Sequence, residues 1–152
     1  MIVRVDDIFN VSYGNSYELK NMNNTSKDIN FISRTSKNNG VVAKVQKTDE
    51  EPFKVGLITV SLGGSVLETF LQDNPFYTAF HIYVLEPKEK MTNIEKLFYC
   101  AAIRLNQYRY NYGRQANRTL SSLRIPIFKK DSRYINAAQE TFKKMDKAVG
   151  NF

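Results

Sequence analysis

The stretch "DINFISRTSKNNGVVAKVQK", residues 28–47, decides what kind of fold this chain can adopt. Two runs within it, Ile29–Ile32 and a second ending at Val45, are rich in the β-branched and aromatic residues that favour strands. Asn39 and Gly40 close the polar segment between the runs, and both residues tolerate the positive φ of a tight turn. The stretch therefore predicts a β-hairpin with a polar loop.

Similar runs extend on both sides of this hairpin. We expect a strand in "IFNVSYG" (8–14), a strand–turn–strand unit in "FKVGLITVSLGGSVLETFLQD" (53–73), and one β-rich run in "FYTAFHIYVLEP" (76–87). Pro126 confines the later segment "TLSSLRIPIF" (119–128) to a sheet edge or a loop, because proline cannot donate a ladder hydrogen bond.

After residue 90 the apolar period changes from that of a strand to that of a helix. Thr92 and Glu95 form a predicted capping box, in which each side chain accepts from the other's backbone N–H. The pattern predicts an amphipathic helix that ends near Gly113. Its apolar positions are expected at Leu97, Phe98, Ala101, Ala102, Leu105 and Tyr108.

The C-terminal residues carry a second helical pattern. From Asp131 or Ser132 onward, apolar residues recur at alternating three- and four-residue steps, typical of a helix that packs along one narrow stripe; they are Ile135, Ala138, Phe142, Met145 and Val149. The fold class predicted from all these patterns is α+β. We expect a twisted, mainly antiparallel sheet, an amphipathic helix and a short C-terminal helix.

The chain is basic, and the positive charge is concentrated in one segment. The formal net charge is +7, yet no Asp or Glu occurs from residue 96 to residue 130. That segment holds eight basic residues: Lys96, Arg104, Arg109, Arg114, Arg118, Arg124, Lys129 and Lys130. The other 14 basic and 15 acidic residues nearly cancel. Such a distribution is typical of a face that binds a polyanion, although an ordinary solvated surface is the alternative.

Composition favours a folded protein in a reducing compartment. At 152 residues and 42% hydrophobic content, one domain can bury a core without a metal or a disulfide. The single cysteine, Cys100, cannot form an internal bridge, so we expect a cytoplasmic protein. We also expect no signal peptide and no membrane span, because charged residues interrupt the N-terminal run and the most apolar stretch is short.

Several motifs come close to catalytic signatures without completing one. "DNPFY" (73–77) lacks a proline of the adenine-methyltransferase signature, and "GLITVSLGGS" lacks the ending of a phosphate-binding loop. Asp73 with Glu86 and Lys88 loosely matches a metal-dependent nuclease, but Pro87 interrupts the strand that such a site needs. His81 is expected to be a structural strand residue and Cys100 a buried one. The sequence therefore predicts no enzyme activity, no cofactor and no metal.

Two polar clusters carry the chemistry for reading DNA. Arg and Lys bind phosphates, whereas Arg, Asn and Gln can also bind base edges. One cluster lies in the hairpin loop, and the other lies in "NQYRYNYGRQANRT" (106–119). The predicted DNA-binding residues are Arg34, Lys37, Asn38, Asn39, Arg109, Arg114, Gln115, Asn117 and Arg118. For each of them, a water-facing loop side chain is the alternative.

At these same residues the sequence resembles a known family. The segments 29–45, 52–87 and 95–128 are similar, in that order, to a target recognition domain of type I restriction–modification specificity (S) subunits. The resemblance implies loops that lie along double-stranded DNA and read one half of a split target. It also implies that catalysis belongs to partner modification and restriction subunits. We assign residues 1–130 to this domain and 131–152 to a short helix that is a remnant of the spacer helix.

The sequence leaves several functions open. The leading one is a solitary, sequence-specific DNA-binding protein of phage or mobile-element origin that acts alone or as a homodimer through its C-terminal helix. Another is a half-S subunit working with a methyltransferase subunit. A third is an anti-restriction protein that competes for that subunit. RNA binding is a fourth, because Tyr108, Tyr110 and Tyr112 could stack on unpaired bases, although such tyrosines more often belong to the scaffold.

Overall fold

The computed structural model describes residues 1–23, 29–110 and 119–129. The strands among these residues are Ile2–Arg4 (β1), Phe9–Tyr13 (β2), Ile29–Ile32 (β3), Val41–Val45 (β4), Ile58–Ser61 (β5), Thr69–Leu71 (β6), Phe76–Thr78 (β7), Ile82–Pro87 (β8) and Arg124–Pro126 (β9). The helices are Val5–Ile8 (α1) and Asn93–Arg104 (α2), with 3-10 turns at Leu19–Asn21, Asn38–Gly40 and Gln107–Tyr110. The predicted C-terminal helix lies outside the described residues.

Within the described residues the strands form three sheets. The largest has the order β2-β8-β5-β6, a second has the order β4-β3-β7, and β1 pairs with β9. Every described pairing is antiparallel except that of β3 with β7. The mainly antiparallel α+β prediction is confirmed, but the strands divide among three sheets and do not form one.

The division into separate sheets follows from a bend at residues 79–81. The predicted single run 76–87 is two strands: β7 joins the β4-β3-β7 sheet and β8 lies inside the four-stranded sheet. His81 has a positive φ of 60° at this bend, so the strand position predicted for it was wrong. The hydroxyl of Tyr13 accepts the His81 backbone N–H at 2.6 Å and holds the bend in place. An extended run cannot contain that left-handed residue.

The two predicted turn units are confirmed. β3 and β4 pair antiparallel around the loop, where Asn38, Asn39 and Gly40 all have positive φ. The backbone N–H of Ser33 donates to the carbonyl of Gly40 at 3.0 Å and closes the loop at its base. β5 and β6 likewise pair antiparallel across the Gly63-Gly64 turn.

Helix α2 begins as predicted but ends early. The Thr92 hydroxyl accepts the Glu95 backbone N–H at 3.2 Å, one of the two bonds of the predicted capping box. The helix stops at Arg104, well before Gly113. Asn106 explains the early end, because its side-chain amide donates to the Ala102 carbonyl at 3.1 Å while its backbone N–H bonds to Ile103. A side chain that satisfies a terminal carbonyl competes with continued helix.

The buried face of α2 also differs from the prediction. Its buried residues are Tyr99, Cys100, Ala102 and Ile103. Ala101 and Leu105, which were predicted on the apolar face, are exposed, and Leu105 is 76% exposed. Tyr108, also predicted on the apolar face, is 65% exposed. Only Ala102 of the predicted stripe is fully buried, because the helix turns its Tyr99–Cys100 side toward the sheet.

The main core fills the space between the four-stranded sheet, α2 and the β1-β9 pair. It is built mostly from aliphatic side chains with Phe9 and Tyr99, and their rings meet edge to face with centroids 5.6 Å apart. Cys100 is buried in this core as predicted, and burial raises the pKa of its thiol to about 12. The thiol is therefore protonated at neutral pH and poorly nucleophilic.

No helix in the described part of the chain combines the length and the apolar character that a membrane crossing requires.

Two smaller clusters line the β4-β3-β7 sheet, around Phe31 and Tyr77 on one face and around Ile32 and Phe76 on the other. This sheet is thus packed on both faces and gives the hairpin loop a rigid base.

Gly14 lies at the junction between the two larger sheets, and we predict that Gly14→Ala destabilises the protein. Its N–H donates to the Ile82 carbonyl at 2.8 Å, and an added Cβ would clash with the buried Thr78 hydroxyl. Overpacking of this kind lowers the free energy of unfolding by about 1–3 kcal/mol, measurable by urea denaturation. Ser16→Ala, an exposed change nearby in the chain, is the control. Equal stability of both variants would contradict the junction described here.

Candidate nucleic-acid interface

The hairpin loop, residues 33–40, presents two cations to solvent. Arg34 and Lys37 are both exposed. The ion pairs found within the described residues use Arg4, Lys20, Lys47 and Lys54, so neither loop cation is neutralised by a described carboxylate. A cation without an internal partner is available for a phosphate or a base edge.

The two asparagines of the loop hold its shape. The Asn39 amide nitrogen donates to the Leu71 carbonyl at 2.9 Å, and the Asn38 amide nitrogen donates to the Val41 carbonyl at 3.1 Å. Asparagine tolerates left-handed backbone better than most residues, and such local bonds are how its side chain stabilises a turn. Both were predicted to bind DNA; their amide nitrogens are engaged within the protein, whereas both residues are exposed.

Gln72 is the residue that joins this loop to the central sheet. Its side chain is 1% exposed, and its amide nitrogen donates to the Asn39 carbonyl and to the Thr59 hydroxyl, each at 3.0 Å. Its backbone N–H donates to Leu57, the residue just before β5, at 2.9 Å. Sequence reasoning missed Gln72. Its only signal was an uncharged polar residue at the end of an apolar strand.

The second polar cluster begins next to the same part of the sheet. Gln107 in the 3-10 turn after α2 donates to the Val66 carbonyl at 3.2 Å and to a Glu68 carboxylate oxygen at 2.8 Å. On the hairpin-loop side, Gly64 lies beside Arg34: a Cβ atom added to Gly64 would be 3.3 Å from the Arg34 Cβ. The turn between β5 and β6, residues 62–68, therefore contacts both clusters.

Of the remaining predicted DNA-binding residues, the structure describes only the backbone of Arg109. The backbone of Arg109 lies in the 3-10 turn Gln107–Tyr110, two residues after Gln107. Arg114, Gln115, Asn117 and Arg118 lie outside the described residues. The described chain begins again at Thr119, next to Leu120, which is buried in the main core. The described residues on either side of 111–118 are thus the 3-10 turn Gln107–Tyr110 and the core residue Leu120.

One cation of the acid-free segment has a structural role. Arg104 donates from its guanidinium to the Thr69 carbonyl at 2.7 Å and so connects α2 to strand β6. Not every basic residue of the segment therefore contributes to a free positive face.

The nuclease-like residues are used in other ways. The Glu86 carboxylate accepts from the Lys54 ammonium at 2.9 Å, and Pro87 pairs with Phe9 within the four-stranded sheet. Asp73 is exposed and accepts the side-chain amide of its neighbour Asn74 at 3.1 Å. Over the described ranges, no three His, Cys, Asp or Glu side chains are arranged to hold a metal ion.

This architecture defines a class of protein: a sheet-based α+β domain that presents polar, basic loops from one shared turn. A family model for the type I restriction modification DNA specificity domain matches residues 1–145. The chain belongs to that family, and this confirms the resemblance and the class of function predicted from the sequence, DNA target recognition. The family is a recognition module without catalytic machinery.

Three solved structures share the fold. One is the S subunit of a type I restriction-modification system from M. genitalium, with a TM-score of 0.67 and 15% identity over 98% of this chain. The second comes from work on complex assembly and conformational transition of the type I R-M system, with a TM-score of 0.70 and 14% identity over 98% of this chain. The third is the HsdS subunit from Thermoanaerobacter tengcongensis, with a TM-score of 0.67 and 13% identity over 97%.

The chain spans 39% of the length of each of these three structures. No curated protein matches it. At these identities the structural likeness establishes the fold, whereas the family model establishes membership.

We predict that Gln72→Leu destabilises the domain. Leucine has a similar size but leaves the Asn39 carbonyl and the Thr59 hydroxyl without their donor. Loss of partners for buried polar groups costs about 1–3 kcal/mol of unfolding free energy, measurable by urea denaturation. Gln46→Leu makes the same change at an exposed position just after β4 and should cost little. If both variants unfold at the same urea concentration, Gln72 does not support the loop.

Proposed function

We propose that this chain is a non-enzymatic reader of a double-stranded DNA sequence, and that its hairpin loop and the segment 106–119 form one interface. The observation that carries the proposal is the shared turn, residues 62–68, which contacts Arg34 on one side and Gln107 on the other. Membership of a DNA specificity family supports DNA as the ligand.

The roles of the residues follow from their chemistry. Arg34 and Lys37, exposed and without described ion-pair partners, bind phosphates and fix the position of the loop on the duplex. Arg109, Arg114, Gln115, Asn117 and Arg118 supply the side chains that hydrogen-bond base edges. Asn38 and Asn39 hold the loop through their amide nitrogens; the groups that remain for DNA are their amide oxygens and the second N–H of the Asn38 amide.

The proposal also includes a protein partner. The family to which the chain belongs is one of restriction–modification specificity domains, and one structural relative was solved in work on complex assembly of such a system. We therefore propose that a modification (methyltransferase) subunit is a partner of this chain. Co-purification of the two subunits from cells that express both tests this part alone, because DNA binding does not require the partner.

The phosphate-binding roles are tested by the salt dependence of binding. We predict that Arg34→Ala and Lys37→Ala each weaken binding to any duplex. The slope of log K against log salt should become shallower by about 0.9 for each phosphate that the variant no longer neutralises. Fluorescence anisotropy with a labelled duplex at several salt concentrations measures both quantities. Lys54→Ala is the matched control, because this exposed lysine is already paired with Glu86.

The same titration tests the second cluster. Arg114→Ala and Arg118→Ala should weaken binding to the preferred sequence more than to an unrelated duplex, by about 1–3 kcal/mol, the value of one bidentate hydrogen-bonded pair with a base. If all four arginine and lysine variants bind as the wild type does, the interface is placed on the wrong surface.

A further inference from the structure

The sheet that supports the hairpin loop also forms the floor of an open groove of about 560 Å³. The groove lies between β3 and β4 on one side and the first turns of α2 on the other, with Asn30, Lys44 and Asn93 among its lining residues. Asn38 and Asn39 of the hairpin loop line it as well. Its volume is in the range of ordinary ligand sites, which is roughly 300–1,000 Å³.

Asn30 is the unexplained residue of this groove. It is only 7% exposed, on the central strand of its sheet, yet no residue in the described part of the chain hydrogen-bonds to its side-chain amide. Every fully enclosed side-chain nitrogen or oxygen described in the structure does have a partner. The Asn30 amide must therefore be open to the groove that it lines. An amide that the protein leaves without a partner, but accessible from a groove, is free to hydrogen-bond a ligand there.

The lining of the groove narrows the chemistry of that ligand. Lys44 lies opposite Asn30 on the neighbouring strand, and Asp73 lies elsewhere on the lining, so the formal charges of these two cancel. Val41, Leu71 and Leu97 add apolar surface. A neutral, flat group with a donor beside an acceptor on one edge fits this combination better than a phosphate does.

We propose that this groove binds a single unpaired nucleobase, with the Asn30 amide pairing with the base edge. A side-chain amide forms two parallel hydrogen bonds to an adenine edge, which makes adenine the favoured base. Lys44, exposed at the strand edge, faces the sugar-phosphate that follows the base. The choice of a nucleobase rests on the proposed function, because the groove adjoins the loop that is proposed to contact DNA. The base comes either from a DNA strand or from a free nucleotide.

Two probes distinguish these sources: deoxyadenosine monophosphate, and a duplex with one unpaired adenine compared with its fully paired counterpart. We expect the wild type to bind the duplex with the unpaired adenine about tenfold more tightly than the paired one, the value of one good base contact. Asn30→Leu should abolish this preference, whereas Asn10→Leu, the same change at an exposed position of β2, should keep it. Isothermal titration calorimetry applies to both probes.

Each outcome decides the proposal. Binding of the mononucleotide that Asn30→Leu abolishes supports a free-nucleotide site, and a preference seen only with the duplex supports a base from a DNA strand. If neither probe distinguishes the wild type from Asn30→Leu, the groove is not a nucleobase site. Binding of the fully paired duplex tests the proposed function separately. If the wild type binds the paired duplex but shows no Asn30-dependent binding of either probe, only the nucleobase site is contradicted.

A stability measurement separates ligand binding from a structural role. Because the Asn30 amide has no described partner, Asn30→Leu should leave the Tm unchanged or raise it. Asn93→Ala, an exposed change on the opposite wall of the groove, should reduce the preference for the unpaired adenine and serves as the second variant if Asn30→Leu unfolds. The proposal would be overturned if Asn30→Leu had a lower Tm and Asn93→Ala kept the full preference for the unpaired adenine.

Discussion

The side-chain amide of Gln72 is the interaction on which the arrangement of the hairpin loop depends. It is buried, and it connects the loop at Asn39 to strand β5 at Thr59. The loop has consecutive residues with positive φ, a conformation that non-glycine residues adopt only when surrounding contacts hold it. The buried amide supplies those contacts from a rigid sheet, so Arg34 and Lys37 are presented at fixed positions.

The turn between β5 and β6 extends this support to the second cluster. Glu68 and Val66 accept from Gln107, and Arg104 bonds to Thr69 at the start of β6. The apolar core thus fixes one strand pair, and that pair positions polar segments that are far apart in the sequence. Binding residues are commonly found on loops held by such a scaffold.

The local features of the fold could be predicted from the sequence, whereas the tertiary contacts that end α2 and bend the chain at His81 could not. Asn39-Gly40 and Gly63-Gly64 indicated the turns, and Thr92 indicated the start of α2, because these signals act over a few residues. The end of α2 depended on the Asn106 amide reaching Ala102, and the bend at His81 on a hydroxyl 68 positions away. Such contacts leave no periodic trace in a sequence.

The candidate site shows the same division. The basic, amide-rich composition of residues 33–40 and 106–119 led to the prediction that a polyanion binds there, and the order of the segments 29–45, 52–87 and 95–128 indicated the family. It could not show that the amide nitrogens of Asn38 and Asn39 are engaged within the protein, or that Arg104 supports β6. It also gave no sign that Gln72 and Asn30, a paired and an unpaired buried amide, lie behind the loop. These roles depend on which strands become neighbours.

The central claim is that a sheet-held set of polar loops reads a DNA sequence, and selection from a pool of random duplexes tests it most directly. The selection should be done with the wild type and with Gln72→Leu, at a temperature where both are folded. The account predicts that the wild type enriches one defined motif and that Gln72→Leu enriches a weaker form of it. No enrichment by the wild type would contradict the account.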